Sequence, residues 1–345
     1  MPMRSFPLPP SLRAGLRSAI LIVCASAVAA CGSADEELTV YSARQEHLIE
    51  PIFERFTEET GIPVRYVTDN AGPLMERLRA EGERTPADVL LTVDAGNLYQ
   101  AAEADLLRPF DSELLKRRIP EHLRDPEGRW YGLSVRARPV MYHPERVDTE
   151  ELDTYEGLAD AKWKGRLCLR TSQKVYNQSL VAMMIAHHGQ QRTAEVVEGW
   201  VENLATSPFS SDTAVIEAIE AGQCDVGVVN TYYLGRLLRD NAEYPVRIFW
   251  PNQEERGAHV NVSGAGITRH AANVEQAQAL LEWLASDAAQ ELFAAVNLEY
   301  PAVEDVPPHD IVAGWGEFRA DTINVSEAGR LQRDAAMLMD RAGYR

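Results

Sequence analysis

The sequence predicts an α/β protein of two lobes, each a mixed, mainly parallel sheet flanked by helices, with a ligand cleft between them. Three observations carry this reading. Short apolar runs alternate with amphipathic helical patterns in a βαβαβα series near the start of the chain. A second such series fills the middle. A later strand pattern, "HVNVSGAGIT", reads as a return to the first lobe. With 345 residues, 45% of them hydrophobic, the chain carries enough apolar surface for two cores.

Before the first strand, Arg4, Arg13 and Arg17 precede "AILIVCASAVAAC", an apolar run too short to span a bilayer comfortably and ending in small residues. It reads as an export signal. Its last four residues, Val28-Ala29-Ala30-Cys31, resemble the bacterial lipobox, which implies cleavage before Cys31 and a lipid on that sulfur. Residues 1–30 are then a lipoprotein signal peptide and residues 31–37, with "GSADEE", a tether. Cleavage removes three of the 34 basic residues and none of the 52 acidic ones, moving the net charge from −18 to −21. Such acidity argues against nucleic acid as a partner.

In the first lobe "LTVYSA" is a strand, followed by a helix whose Leu48, Ile49, Ile52, Phe53 and Phe56 share a face and whose end is capped by Gly61. "IPVRYVT" alternates with period two. A helix at "PLMERLRAEG", the continuous apolar strand "ADVLLTV" and a helix at "AGNLYQAAEADLL" complete the series. The second lobe has strands "RLCLR", "DVGVVN" and "VRIFW", with helices around "SLVAMMIAHH" and "TAEVVEGWVENLA". After "HVNVSGAGIT" one amphipathic helix is expected through "VEQAQALLEWLASDAAQELFAAV". The lobes divide as 38–137 plus 262–312 and 138–261 plus 313–345. Cys168 and Cys224 are the cysteines left after export, and an oxidising compartment makes a disulfide between them the expectation.

No Walker A loop, HExxH or GxSxG occurs in the sequence, and "GAGITR" has Arg269 where a dinucleotide loop needs its third glycine. His187 and His188 read as an exposed helix end. No catalytic residue is assigned. The segment "CDVGVVNTYYLGRLL" is different: an apolar strand runs into Asn230 and Thr231, either of which can cap a helix with Tyr232 and Tyr233 in its first turn. A phenol ligates most divalent ions poorly, whereas a hard trivalent cation such as ferric iron displaces its proton and holds the oxygen. On the tyrosines alone, aromatic packing or a hydrogen-bonded surface is the better account.

Six blocks resemble the periplasmic ferric-iron-binding proteins of bacterial ABC importers: "TVYSARQEHLIEPIFERFTEETGI", "ADVLLTVDAGNLYQAAEADLL", "GLSVRARPVMYHPERV", "YNQSLVAMMIAHHG", "AGQCDVGVVNTYYLGRLL" and "FWPNQEERGAHVNVSGAGITRHAANVEQA". The resemblance covers nearly the whole chain after the export segment. It implies a two-lobed periplasmic binding protein of type II, of the transferrin-like kind, with Fe(III) as cargo and a synergistic anion such as carbonate. It implies a partner permease with its ATPase, a periplasmic location with the lipid as the only membrane contact, and action as a monomer. By position, Tyr142, Tyr232 and Tyr233 become the phenolate ligands, Arg44 faces the anion, and Arg136 and Arg138 are further anion-site candidates.

Many members place a histidine just after the segment matching "YSAR", where this chain has Gln45 and Glu46, with His47 later. That departure points to three tyrosines plus an anion or water, with Glu46 and His47 as the alternatives and Tyr41 as packing. The same architecture also serves polyamines, thiamine, sulfate and phosphonates. A secreted hydrolase is the remaining alternative, without a motif to support it.

Overall fold

The run Leu38–Ser42 is buried along its whole length, as a strand must be when both faces of its sheet are covered. A computed structural model describes residues 37–345 of the chain, so the export segment and Cys31 lie outside the described residues. In chain order its strands are β1 (Leu38–Ser42), β2 (Val64–Thr68), β3 (Val89–Thr92), β4 (Tyr131–Ala137), β5 (Val140–Tyr142), β6 (Leu167–Cys168), β7 (Val226–Val228), β8 (Arg247–Phe249), β9 (Val260–Ile267) and β10 (Tyr300–Pro301).

They form two mixed sheets, of order β10-β4-β9-β3-β1-β2 and β6-β7-β5-β8. Parallel pairing joins β1 to β2 and β3 in the first sheet, and β6 to β7 in the second. β9 runs antiparallel between β3 and β4, and β5 runs antiparallel to both β7 and β8. The glycines of "GAG" belong to β9. A Cβ at Gly264 would lie 2.4 Å from the Tyr131 carbonyl oxygen, and one at Gly266 2.4 Å from that of Arg129. They serve close strand approach, not a phosphate loop.

The helix Glu46–Thr60 buries Ile49, Ile52, Phe53 and Phe56 and ends at Gly61, whose φ of 76° lets its N–H reach the Thr57 carbonyl. The long helical stretch Val175–Asn203 is broken by Gly189 (φ 77°, ψ 169°). His187 and His188, beside that break, are paired with Asp321 and Glu156 at 2.7 and 2.9 Å. The single helix expected over 274–296 is two, Val274–Leu284 and Asp287–Asn297, because Ser286 accepts from the Ala289 N–H and starts a new helix. Cys168 at the end of β6 is joined by a disulfide to Cys224 before β7. No helix among the described residues is long and apolar enough to cross a membrane.

Two chain crossings connect the sheets, at Arg138 after β4 and at His259 before β9, and they are bonded to each other. The Arg138 N–H donates to the His259 carbonyl at 3.1 Å. The buried Tyr155 hydroxyl donates to the Arg138 carbonyl at 2.7 Å and accepts from the His259 N–H at 3.0 Å. A separate tie lies nearby, where Ser179 of the second lobe donates to Asp94 of the first at 2.9 Å.

Candidate metal centre

β7 delivers the chain to Asn230, and the helix Thr231–Asp240 starts there with Tyr232 and Tyr233 in its first turn. Asn230 occupies the cap position but makes no side-chain cap bond; its amide is used elsewhere. The rings of Tyr232 and Tyr233 lie 4.4 Å apart between centroids, inclined at 35°. Tyr176 stands in the first turn of the helix Val175–Asn203 and is close enough to interact with both. The three phenols line one cavity of about 710 Å³.

The rest of the wall is cationic. Arg44, Arg136, Arg170, Lys174 and Arg236 line the cavity, and Glu299 is the carboxylate among its lining residues. Arg44 donates from Nη2 to Ser134 Oγ at 2.8 Å and to Glu299 Oε2 at 2.5 Å. Arg136 donates to Glu299 Oε1 at 3.2 Å, to Ser263 and to the Val93 carbonyl, and its guanidinium carbon sits 5.6 Å from the ring centres of Tyr176 and of Tyr232. Lys174 lies 4.5 Å from the centre of the Tyr176 ring, and Arg236 5.1 Å from that of Tyr232. Arg44, Arg136 and Arg170 each keep a buried Nε–H without a protein partner.

The protonation states follow from this setting. Burial pushes the Tyr232 phenol well above its ordinary value, and the neighbouring Tyr176 and Tyr233 push the same way against Arg136. Burial also raises Tyr176, with Arg136 opposing. Lys174 is lowered by burial and then by Arg170. Burial alone would raise Glu299, yet Arg44 and Arg136 outweigh it and hold the carboxyl at about 2. The cavity therefore offers phenols and fixed positive charge, a surface for an anion and a cation that can displace phenol protons. Among the described residues no three His, Cys, Asp or Glu side chains converge as a metal site.

The residues named from the sequence divide clearly. Tyr232, Tyr233, Arg44 and Arg136 are brought together in the cavity wall. Tyr142 is not in that wall. It ends β5, opposite Val226 of β7, and packs against the second-lobe core. β7 runs into the site and β5, antiparallel to it, runs out, so Val140 is the β5 residue nearer the phenols. Arg138 is also outside the wall, 1% exposed and bonded to Asp212, Asn230 and Asn177. Its Nε–H has no partner, but the residue does not reach the cavity. Glu46 and His47 are exposed on the helix Glu46–Thr60 and do not line the cavity, whereas Gln45 does. Tyr41 is buried and donates to Glu81 at 2.9 Å. Tyr176 and Glu299 were not singled out by the sequence. Tyr176 carried a usable signal, since it opens a helix as Tyr232 and Tyr233 do.

A family model described as bacterial extracellular solute-binding protein matches residues 84–313. Iron uptake protein A1 of Synechocystis is 43% identical over 316 residues, which span 90% of this chain and 88% of that protein. Iron uptake protein A2 of the same organism is 44% identical over 315 residues, 89% of this chain and 90% of that one. The structure of a Trichodesmium protein (IdiA, FutA) in complex with iron and citrate superposes with a TM-score of 0.86 at 43% identity, covering 90% of this chain and all of that one.

Proposed function

Since the chain belongs to the family of bacterial extracellular solute-binding proteins, we propose that it binds ferric iron in the periplasm and delivers it to an ABC-type importer of the inner membrane. It is a binding protein and not an enzyme. The observation that carries the choice of cargo is the meeting of Tyr176, Tyr232 and Tyr233 in one cation-lined cavity. Three phenolates balance the charge of Fe(III), and their hard oxygens prefer it to softer or divalent ions. A polyamine is excluded by the same wall, which would set cation against cation.

Three phenolates leave room on a six-coordinate ferric ion, and a synergistic anion fills it. Carbonate is a small bidentate anion that can do so, and the unpartnered Nε–H groups of Arg44 and Arg170 are donors suited to it. The cavity of about 710 Å³ also admits citrate, the anion found with iron in the Trichodesmium relative. Closure of the lobes about the bonded crossings would bury the ion and present a new composite surface to the permease, with its ATPase supplying the work. The protein acts as a monomer, with a lipid on Cys31 as its membrane contact. Full-length protein should then leave the membrane fraction on Cys31→Ser; an unchanged distribution would dismiss the anchor.

Titration with ferric citrate should give a visible phenolate-to-iron charge-transfer band that saturates at one equivalent. Bicarbonate should raise iron retention in buffer free of citrate and phosphate, and Arg44→Ala should blunt that dependence. A colourless complex, or binding of ferrous iron in preference to ferric, would overturn the reading.

A further inference from the structure

Three acceptors from three segments converge on the guanidinium of Arg138. Its Nη1 donates to Asp212 Oδ1 and to Asn230 Oδ1, each at 3.1 Å, and its Nη2 donates to Asn177 Oδ1. Every one of these acceptors leads to a tyrosine of the cavity. Asn230 donates from Nδ2 to the Tyr232 phenol oxygen at 3.2 Å. Asp212 gives its other oxygen to Arg170, whose guanidinium faces Tyr233. Asn177 follows Tyr176 and ties the start of that helix to the Arg170 and Thr171 carbonyls at 2.8 and 3.0 Å.

An amide side chain has one accepting end and one donating end. Arg138 has only donors, so it draws Oδ1 of Asn230 towards itself and leaves the NH2 aimed at Tyr232. A donor in that position holds the phenol oxygen in place and can bond to its lone pair when the oxygen carries a metal. Without Arg138, the Asn230 amide could turn its oxygen to the phenol, and that donor would be lost. The main chain of the same arginine forms the bonded crossing with His259 and Tyr155. One residue thus holds both the crossing and the groups behind the phenols.

From this arrangement we infer that Arg138 is a positioning residue for iron binding, which through Asn230, Asp212 with Arg170, and Asn177 fixes the orientation and hydrogen-bond donors of all three tyrosines. The inference rests on the three-phenol reading of the cavity. Outer partners of this kind change metal affinity by about 10- to 100-fold when removed.

The test uses the full chain and two variants, Asn230→Leu and Arg138→Lys, with Tyr155→Phe as the control. Ferric citrate titrations read the charge-transfer band, a chelator competition reads affinity, and thermal melting reads stability. Asn230→Leu strips the donor from the Tyr232 phenolate, so its lone pairs rise in energy and the band should move to longer wavelength, with affinity falling about 10- to 100-fold. Arg138→Lys keeps the charge but cannot span three acceptors, and should move the band the same way. Tyr155→Phe should melt earlier with the band in place. Should Arg138→Lys not fold, Asp212→Asn, which weakens the hold on Arg138 without touching Asn230 or Tyr232, takes its place and should move the band the same way. Unchanged bands and affinities in the variants, or an equal shift in Tyr155→Phe, would overturn the role of Arg138. A wild-type protein with no band would instead overturn the phenolate site beneath it.

Discussion

Replacing Glu299 with glutamine removes one charge from the middle of the cavity wall while keeping volume and an acceptor. Glu299 is buried between Arg44 and Arg136, and these hold its carboxyl at about 2 against an ordinary 4.5. At about 1.4 kcal/mol per tenfold change in proton affinity, the displacement contributes about 3 kcal/mol to folding. The folded-state value lies below the unfolded one. The contribution is therefore complete above about pH 4.5 and fades as the pH falls towards 2. Urea denaturation of the iron-free protein should show Glu299→Gln weaker than wild type by about 3 kcal/mol at pH 7, and by about 1.5 kcal/mol at pH 3. The variant also leaves two guanidinium groups uncompensated beside the cavity, so it should hold the anion more tightly although it is less stable. A stability gap that is the same at both pH values would refute the assigned ion triad.

Tyr176→Phe, Tyr232→Phe and Tyr233→Phe should each weaken and shift the charge-transfer band, whereas Tyr142→Phe should leave it as it is; a band lost only in the Tyr142 variant would reverse the placement of the third phenol. Each phenol gives up a proton to bind iron, so at fixed free ferric ion and fixed free carbonate the apparent affinity should change about 1000-fold per pH unit near neutrality. A flat profile would mean that neutral groups or carboxylates hold the ion. Cys168→Ser with Cys224→Ser opens a loop with a sequence separation of 56 and should cost about 4 kcal/mol in urea denaturation. A loss under about 1 kcal/mol would show that the unfolded chain is already compact there.

The strands that read clearly in the sequence are those with continuous burial, such as β1 and β3, because an apolar run between turn residues has one interpretation. β10 has two residues and no such run; it exists because β4 lies beside it. The tyrosine pair was legible because a strand, a cap residue and two phenols are local facts. The third phenol was not. Choosing between Tyr142 and Tyr176 requires knowing which end of β5 faces the cleft, and that depends on β5 running antiparallel to β7, a long-range pairing. That Arg138 lies outside the cavity wall was hidden for the same reason. Its acceptors come from residues 39 to 92 positions away, so nothing near it in the chain reveals that its guanidinium is already engaged. Glu299 lies between a helix end and β10 and acquires its role only from arginines 255 and 163 positions away.

The cationic cavity sits in a chain with 52 acidic residues against 34 basic ones. A ferric chelate of net negative charge therefore meets opposite forces on its way in: repulsion while it is still distant, attraction once it reaches the wall. Dissolved salt separates them. The screening length is about 10 Å at 0.1 M ionic strength and about 3 Å at 1 M, so the distant repulsion dies away in brine. Contacts inside the cavity, where mobile ions have little access, keep most of their strength. Capture of such a chelate should then be slower in fresh water than in sea water, the reverse of the salt response of a binding protein that is basic throughout.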